Sequence, residues 1–265
     1  MKQPFFSIIV AAYNAETVIE DTILSVLNQK FDDYEIVVKD GGSTDNTLFK
    51  IPTSEKIRVY SSRDGGIYQG MNEGISYADG KYLCFLNCGD LFDNPDVLSS
   101  VYKCAAELQD TRNIIYGNYC RKGVNFKQPS SITPFYLYRT PLCHQTMFFG
   151  SKVFEEHGGY DTDYKILADY NHTLAAFTSG IPFIYCDAVI CSYLGGGASE
   201  TAKGAEIKKS EYDVLRSKYF TKKQIRNYNT KIFFSFRKLR QRIISDKSPQ
   251  WLRKLYRKIV NLFNG

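Results

Sequence analysis

Apolar residues fill nearly every position from Phe6 to Ala12, as in a parallel strand buried on both faces. The period then changes. Val18, Ile19, Ile23, Val26 and Leu27 recur at helical spacing over 17–29, and Glu16, Glu20 and Asp21 cluster where the positive end of a helix favours carboxylates. Tyr34–Val38 predicts a second strand and Ile57–Tyr60 a short third. A helix over Ile67–Tyr77, a strand over Tyr82–Leu86, a helix over Val97–Leu108 and a strand over Asn113–Tyr116 follow. Strand and helix thus alternate through the first ~118 residues, the pattern of a parallel sheet with crossover helices. The remainder is less regular. Strands are expected at Thr146–Phe149 and Ala188–Leu194, and helices over 151–157, 166–178 and within 202–228. Between them Gly195–Ser199 has the composition of a loop that opens and closes over a ligand.

The predicted strand ends carry the chemistry. The second strand runs into Lys39-Asp40-Gly41-Gly42-Ser43, the third into Arg63-Asp64-Gly65-Gly66 and the fourth into Asn87-Cys88-Gly89-Asp90. Aspartate suits Gly-rich turns for turn geometry alone. Ligands of open α/β sheets, however, bind beyond the carboxyl ends of the strands, so Asp40, Asp64 and Asp90 are expected to converge on one crevice. An acidic crevice lined with glycine suits a divalent cation bound together with a polar ligand. Magnesium and manganese take oxygen ligands, and Asp90 with a diphosphate would supply them. The chain lacks GxxxxGK[ST], GxGxxG after the first strand, a GxSxG elbow and a zinc-type His/Cys set, which disfavours P-loop, dinucleotide, hydrolase and zinc chemistry.

The chain has 265 residues, 43% of them hydrophobic and 23% charged, enough for one large α/β domain with a short appendage. Its net charge of +6 is unevenly placed. Residues 231–265 hold ten Lys/Arg against one acid, Asp246, a balance of +9. Ile232, Phe236, Leu239 and Ile243, then Trp251, Leu255, Ile259 and Leu262, recur there at helical spacing. A domain over 1–228 and a basic amphipathic helical tail over 229–265 are therefore expected, the tail lying on an anionic membrane surface. Packing of its apolar stripe on the rest of the chain is the alternative. Nucleic acid is disfavoured, because the body is acidic and no binding motif accompanies the basic stretch. No run of ~18 apolar residues predicts a spanning helix. Lys2 with the apolar run Phe5–Ala12 reads as a first strand rather than a signal peptide, since the run is short and Pro4 precedes it. Seven cysteines, none in a CxxC pair, read as reduced thiols of a cytoplasmic protein.

Four segments together resemble a known family. Ser7-Ile8-Ile9-Val10-Ala11-Ala12-Tyr13-Asn14 is similar to the opening strand of family 2 glycosyltransferases with the GT-A fold. Asp40-Gly41-Gly42-Ser43-Thr44-Asp45-Asn46-Thr47 resembles their nucleotide-base loop. Arg63-Asp64-Gly65-Gly66-Ile67-Tyr68 with Met71-Asn72-Glu73-Gly74, and then Leu86-Asn87-Cys88-Gly89-Asp90, resemble the subgroup that builds bacterial O-antigen, capsule and colanic-acid-type polysaccharides. The resemblance spans about residues 4–200. It implies a Rossmann-like α/β fold with a mostly parallel sheet flanked by helices.

The resemblance also implies roles. Ala12, Tyr13, Asn14, Asp40, Arg63, Asp64 and Asn87 would bind the nucleotide sugar, with Asp40 on the edge of a uracil or thymine. Asp90 would hold Mg or Mn at the diphosphate. It is the only carboxylate where the family's DxD motif carries more, because Asn87 takes the first slot. His144 and Gln145 would lie near acceptor and diphosphate, and Asp169 would be the general base. Inverting transfer to a lipid-linked saccharide, at the inner face of the cytoplasmic membrane, is the implied activity. A catalytically silent sugar-nucleotide-binding or scaffold protein of the same fold is the alternative. Asp45 fits a helix cap as well as a ligand contact, and Cys88 fits a filler better than a nucleophile.

Overall fold

The computed structural model describes residues 3–193, 195, 201–235 and 251. Within the described residues the chain forms two compact units. One comprises the residues up to Ile132 with Pro141–Tyr212, and the other Thr133–Thr140 with the residues from Asp213 onward.

The first unit is built on β1 (Phe6–Ala12), β2 (Tyr34–Asp40), β3 (Ile57–Ser61) and β4 (Tyr82–Phe85), all mutually parallel. Helices α1 (Ile19–Leu27) and α2 (Ile67–Tyr77) make the crossovers. Phe6, Ile8, Ile9, Val10, Ile36, Val37 and Val38 are buried, which explains why these strands read as continuous apolar runs. Pairing of Ala12 with Asp40, and of Asp40 with Ser61, brings the carboxyl ends of β1, β2 and β3 level.

Beyond β4 the sheet is mixed. Its order is β3-β2-β1-β4-β8-β6-β9-β5, with β7 (Val124–Phe126) on β6 (Ile114–Arg121). β8 (Met147–Gly150) enters antiparallel to both β4 and β6, while β9 (Phe183–Tyr193) is parallel to β6. The two-residue β5 (Leu91–Phe92), antiparallel to β9, follows Asp90 directly. The expected α/β architecture is present, with the parallel order concentrated in its first four strands. β9 begins well before the expected Ala188, and β5 and β7 are too short to leave a period in the sequence.

Helices α3 (Val97–Ala105), α5 (Ser151–His157) and α6 (Ala168–Thr178) complete this unit. α4 (Pro134–Arg139), unforeseen in the sequence, has Thr133 as its N-cap and Pro at its first turn. It lies in the second unit with α8 (Lys222–Ser235), where Tyr138 hydrogen-bonds Asn229 at 2.7 Å and its ring meets Phe220 and Tyr228. α7 spans Ala202–Tyr219. Apart from residues up to 235 and Trp251, the basic tail lies outside the described residues, as does all but Gly195 of the Gly195–Ser199 loop. No described helix is long and apolar enough to cross a membrane.

Candidate active site

Two clusters occupy the carboxyl side of the parallel strands. The first joins the loops after β1, β2 and β3. Asp40 is completely buried, and its carboxylate accepts from Gly42 N at 3.1 Å, Ser43 N at 3.2 Å, Ser43 Oγ at 2.5 Å and Ser61 Oγ at 2.6 Å. Burial raises its pKa, but the hydroxyls of Ser43 and Ser61 and the amides of Ser43 and Gly42 outweigh that and hold it below the ordinary carboxylate value. Asp40 therefore shapes the loop that follows it. Asn14, in the left-handed region at φ 47°, donates its amide to Ser43 Oγ and accepts Thr44 N–H on its side chain. The Ala12 carbonyl accepts from Gly41 N at 2.8 Å. Asp45 binds Thr47 and the Glu16 amide, a role inside the loop. Tyr13 and Arg63 are exposed at the rim.

Beneath this cluster lies a residue the sequence reading missed. Lys39, fully buried at the end of β2, donates to the carbonyls of Asp40 and Ser62 at 2.7 Å each. Its ammonium also lies 3.5 Å from Asp64 and 3.3 Å from Glu73 of α2. A buried ammonium is costly unless its protons are all partnered, and here they tie β2, β3 and α2 together. The sequence did hold a signal: a lysine directly after the apolar run Ile36–Val38 and beside Asp40, at the end of a strand buried on both faces. Gly41 and Gly70 make room for Asp64, since a Cβ at either would lie 2.8 Å from Asp64 Oδ2.

The second cluster joins the loop after β4, the turn before β8 and the start of α6. Gly89, at φ 94°, permits the tight turn in which Asp90 N–H bonds the Asn87 carbonyl. Asp90 is half-buried and receives Gln145 Nε2 at 3.1 Å. Burial raises its pKa above the ordinary value, against the opposing effects of Gln145 and His144. His144 Nδ1 lies 3.2 Å from Asp169 Oδ2, and His144 Nε2 lies 3.1 Å from Asn87 Nδ2. Asn87 Oδ1 is buried with no partner among the described residues. The other oxygen of Asp169 faces the Tyr68 hydroxyl of α2 at 3.0 Å, and that hydroxyl is also 2.7 Å from the Ile166 carbonyl.

Asp169 sits in the first turn of α6, where the helix dipole favours an anion. Burial raises its pKa, yet His144, the Tyr170 amide and Tyr68 prevail and hold it below the ordinary value. His144 is pulled the other way. Burial opposes its charge, but Asp169 lifts its pKa to about 9. The turn leading into α6 is pinned by Glu211, whose carboxylate accepts the amides of Lys165, Ile166 and Leu167 at 2.6, 3.1 and 2.8 Å. Neither Tyr68 nor Glu211 was visible as a site residue, because Tyr68 meets Asp169, and Glu211 the turn before it, only through the fold.

Cys88 lies between the clusters electrostatically. Its thiol is pushed up to about 12 by burial and by the nearby carboxylates of Asp90 and Asp40, which makes it inert as a nucleophile. Among the described residues no group of three or more His, Cys, Asp or Glu side chains is placed to hold a metal by itself. Asp90, desolvated and partnered through its side chain by the Gln145 amide, is the donor in this cluster that suits a hard cation.

Residues 7–173 match Glycosyl transferase family 2. The chain belongs to this family. Among curated relatives, the glycosyltransferase resembles a PGL/p-HBAD biosynthesis glycosyltransferase of Mycobacterium bovis. The two are 30% identical over 217 residues, covering 79% of this chain and 84% of that one. A Haemophilus influenzae glycosyltransferase is 25% identical, with 80% and 72% covered.

Solved structures share the fold of this glycosyltransferase. Staphylococcus aureus TarS 1-349 in complex with UDP superposes with a TM-score of 0.64 at 18% identity, covering 92% of this chain and 75% of that one. The chain spans 46% of the longer TarS chain. The mannosyltransferase PcManGT of Pyrobaculum calidifontis, in complex with GDP-Man and Mn2+, gives a TM-score of 0.58 at 17% identity, covering 99% and 70%.

Proposed function

We propose that this glycosyltransferase moves a sugar from a nucleotide-diphosphate sugar, UDP-linked, to a hydroxyl of a lipid-linked saccharide in bacterial surface polysaccharide synthesis, with inversion. The observation that carries the reading is Asp169. Its carboxylate is kept ionised at the start of α6 by Tyr68 and His144, one residue removed through His144 from the Asn87–Asp90 loop. A silent protein of the same fold has no need of such an anion. The TarS complexes with UDP and UDP-GlcNAc support the choice of UDP.

In this reading the loops around Ala12, Tyr13, Asn14, Asp40, Arg63 and Asp64 cradle the nucleoside, and Asn87 faces the ribose or sugar. His144 and Gln145 border the diphosphate and the acceptor. Asp169 takes the proton of the acceptor hydroxyl as its oxygen attacks the anomeric carbon, help worth ~10²–10⁴-fold. A Mg or Mn ion held by Asp90 and the diphosphate would neutralise charge on the leaving group. The basic 231–265 segment would keep the enzyme on an anionic membrane surface, where a lipid-linked acceptor is found, at ~1 kcal/mol per engaged Lys or Arg.

The test is UDP release from a panel of UDP-sugars, with and without Mn²⁺, against lipid-diphosphate saccharide acceptors, with mass spectrometry of the product. Acceptor-dependent release with a mass gain of one sugar is expected. Tight UDP-sugar binding with no product from any pair would instead favour the silent reading.

A further inference from the structure

His144 is held on both sides. Nδ1 meets Asp169 Oδ2 at 3.2 Å, and Nε2 meets the Asn87 side-chain amide at 3.1 Å. A neutral imidazole has one N–H and one lone pair, so its two neighbours decide which nitrogen carries the proton. With Asn87 Nδ2 facing it, a neutral ring would accept on Nε2 and point Nδ1–H at Asp169. The same amide has an oxygen, Oδ1, that is buried and has no partner among the described residues. A half-turn of the amide presents that oxygen to Nε2. The imidazole then carries its proton on Nε2 and offers the Nδ1 lone pair to Asp169.

We propose that His144 is a positioning residue that takes the acceptor's proton on from Asp169, and that the Asn87 amide selects the tautomer able to do so. The proposal rests on Asp169 being the base. As the acceptor oxygen bonds to the anomeric carbon, the bond from that carbon to the diphosphate oxygen breaks, and its electron pair leaves with the diphosphate. The acceptor proton passes to the Asp169 carboxylate and then to His144 Nδ1. The product is an imidazolium donating Nδ1–H to Asp169 and Nε2–H to Asn87 Oδ1, with that previously unmatched oxygen satisfied. Asn87 belongs to the loop that ends in Asp90.

The charged and titratable groups near His144 are consistent with this. Asp169 of α6 is the nearest, and Asp90 and Cys143 add to its effect, so the imidazolium persists to about 9. Tyr68 of α2 acts on the pair through Asp169. The free enzyme is therefore loaded with this proton at neutral pH and becomes competent as it is lost.

The chain has three histidines, so their ring nitrogens can be followed individually by ¹⁵N NMR of the full-length, metal-free protein. In the wild type, the His144 signals should report both nitrogens protonated at neutral pH and titrate near 9. In Asp169→Asn the titration should fall toward the ordinary value of ~6.5. A His144 that is neutral at pH 7, or that titrates alike in both proteins, overturns the proposal.

The second measurement is the pH dependence of transfer at fixed Mg²⁺, with His144→Asn and His144→Gln as comparisons. The wild-type rate should rise with pH as His144 loses its proton. Neither amide titrates, so that rise should vanish in the variants. A rise that persists in a folded variant refutes His144 as proton holder. Full transfer by Asp169→Asn would instead remove the base assignment, which the NMR result does not address.

Discussion

The Tyr68 hydroxyl lies 3.0 Å from Asp169 Oδ1, although 101 residues separate them in sequence. Helix α2, which begins right after the Asp64 loop, thereby reaches across to the start of α6. Burial and the Asp169 charge both push the Tyr68 pKa upward, so the phenol stays protonated and serves only as a donor. Tyr68→Phe keeps the ring and its contact with Tyr160 but removes that donor. A hydrogen bond to a charged group contributes ~1.5–3 kcal/mol, so transfer should slow about tenfold or more. The donor KM should stay unchanged, and steady-state kinetics at saturating donor check both.

Asp169→Asn retains shape and loses the proton acceptor. Transfer should fall by ~10²–10⁴-fold while UDP-sugar affinity stays within a few-fold. Single-turnover kinetics paired with calorimetry separate the two effects. Near-wild-type turnover would show that another group accepts the proton.

Asp90→Ala removes the desolvated carboxylate beside Gln145. UDP binding measured by calorimetry should lose its dependence on Mn²⁺, and turnover should fall with it. If Mn²⁺ strengthens UDP binding equally in both proteins, the metal lies elsewhere.

Lys39→Met replaces an ammonium that serves two carbonyls and two carboxylates. Breaking a buried ion pair by removing one partner costs about 3–5 kcal/mol. Asp64 and Glu73 keep some solvent, at 13% and 28% side-chain exposure, which places the expected loss near the lower bound. Urea denaturation measures it. A loss below about 1 kcal/mol, typical of an exposed pair, would contradict this account.

The depressed pKa of Asp40 has a signed consequence for stability. A carboxyl whose folded value lies below its unfolded value of ~3.9 stabilises the fold fully above that value. The contribution disappears as pH falls from there through the folded value. Asp40→Asn should flatten this part of the acid-unfolding curve while lowering stability at pH 7. An unchanged slope below pH 4 would show that other carboxyls set it.

Much of the frame was legible because its cause is local. A strand buried on both faces must be apolar throughout, and β1, β2 and β4 announced themselves in that way. The alternation of strand and helix through residue 118 likewise demanded parallel crossovers. Aspartates closing successive predicted strands marked the crevice side, and Asp169 was legible through its resemblance to a family motif. The short strands β5 and β7 were not, since two or three residues carry no period. The antiparallel entry of β8 between β4 and β6 was hidden too, because a strand's own sequence does not state its partner's direction.

What the sequence determined by itself was the set of groups: carboxylates at strand ends, glycines that let the backbone turn, and one acid at the head of a helix. What only the tertiary structure decided was the state of those groups. Asp40 became a saturated loop anchor, Lys39 a buried tie and Asp169 an anion flanked by Tyr68, His144 and the turn fixed by Glu211. The physical reason is that a charge's protonation depends on desolvation and on partners within a few ångströms. Many of those partners come from segments 21 to 101 residues away, which meet only when the sheet forms.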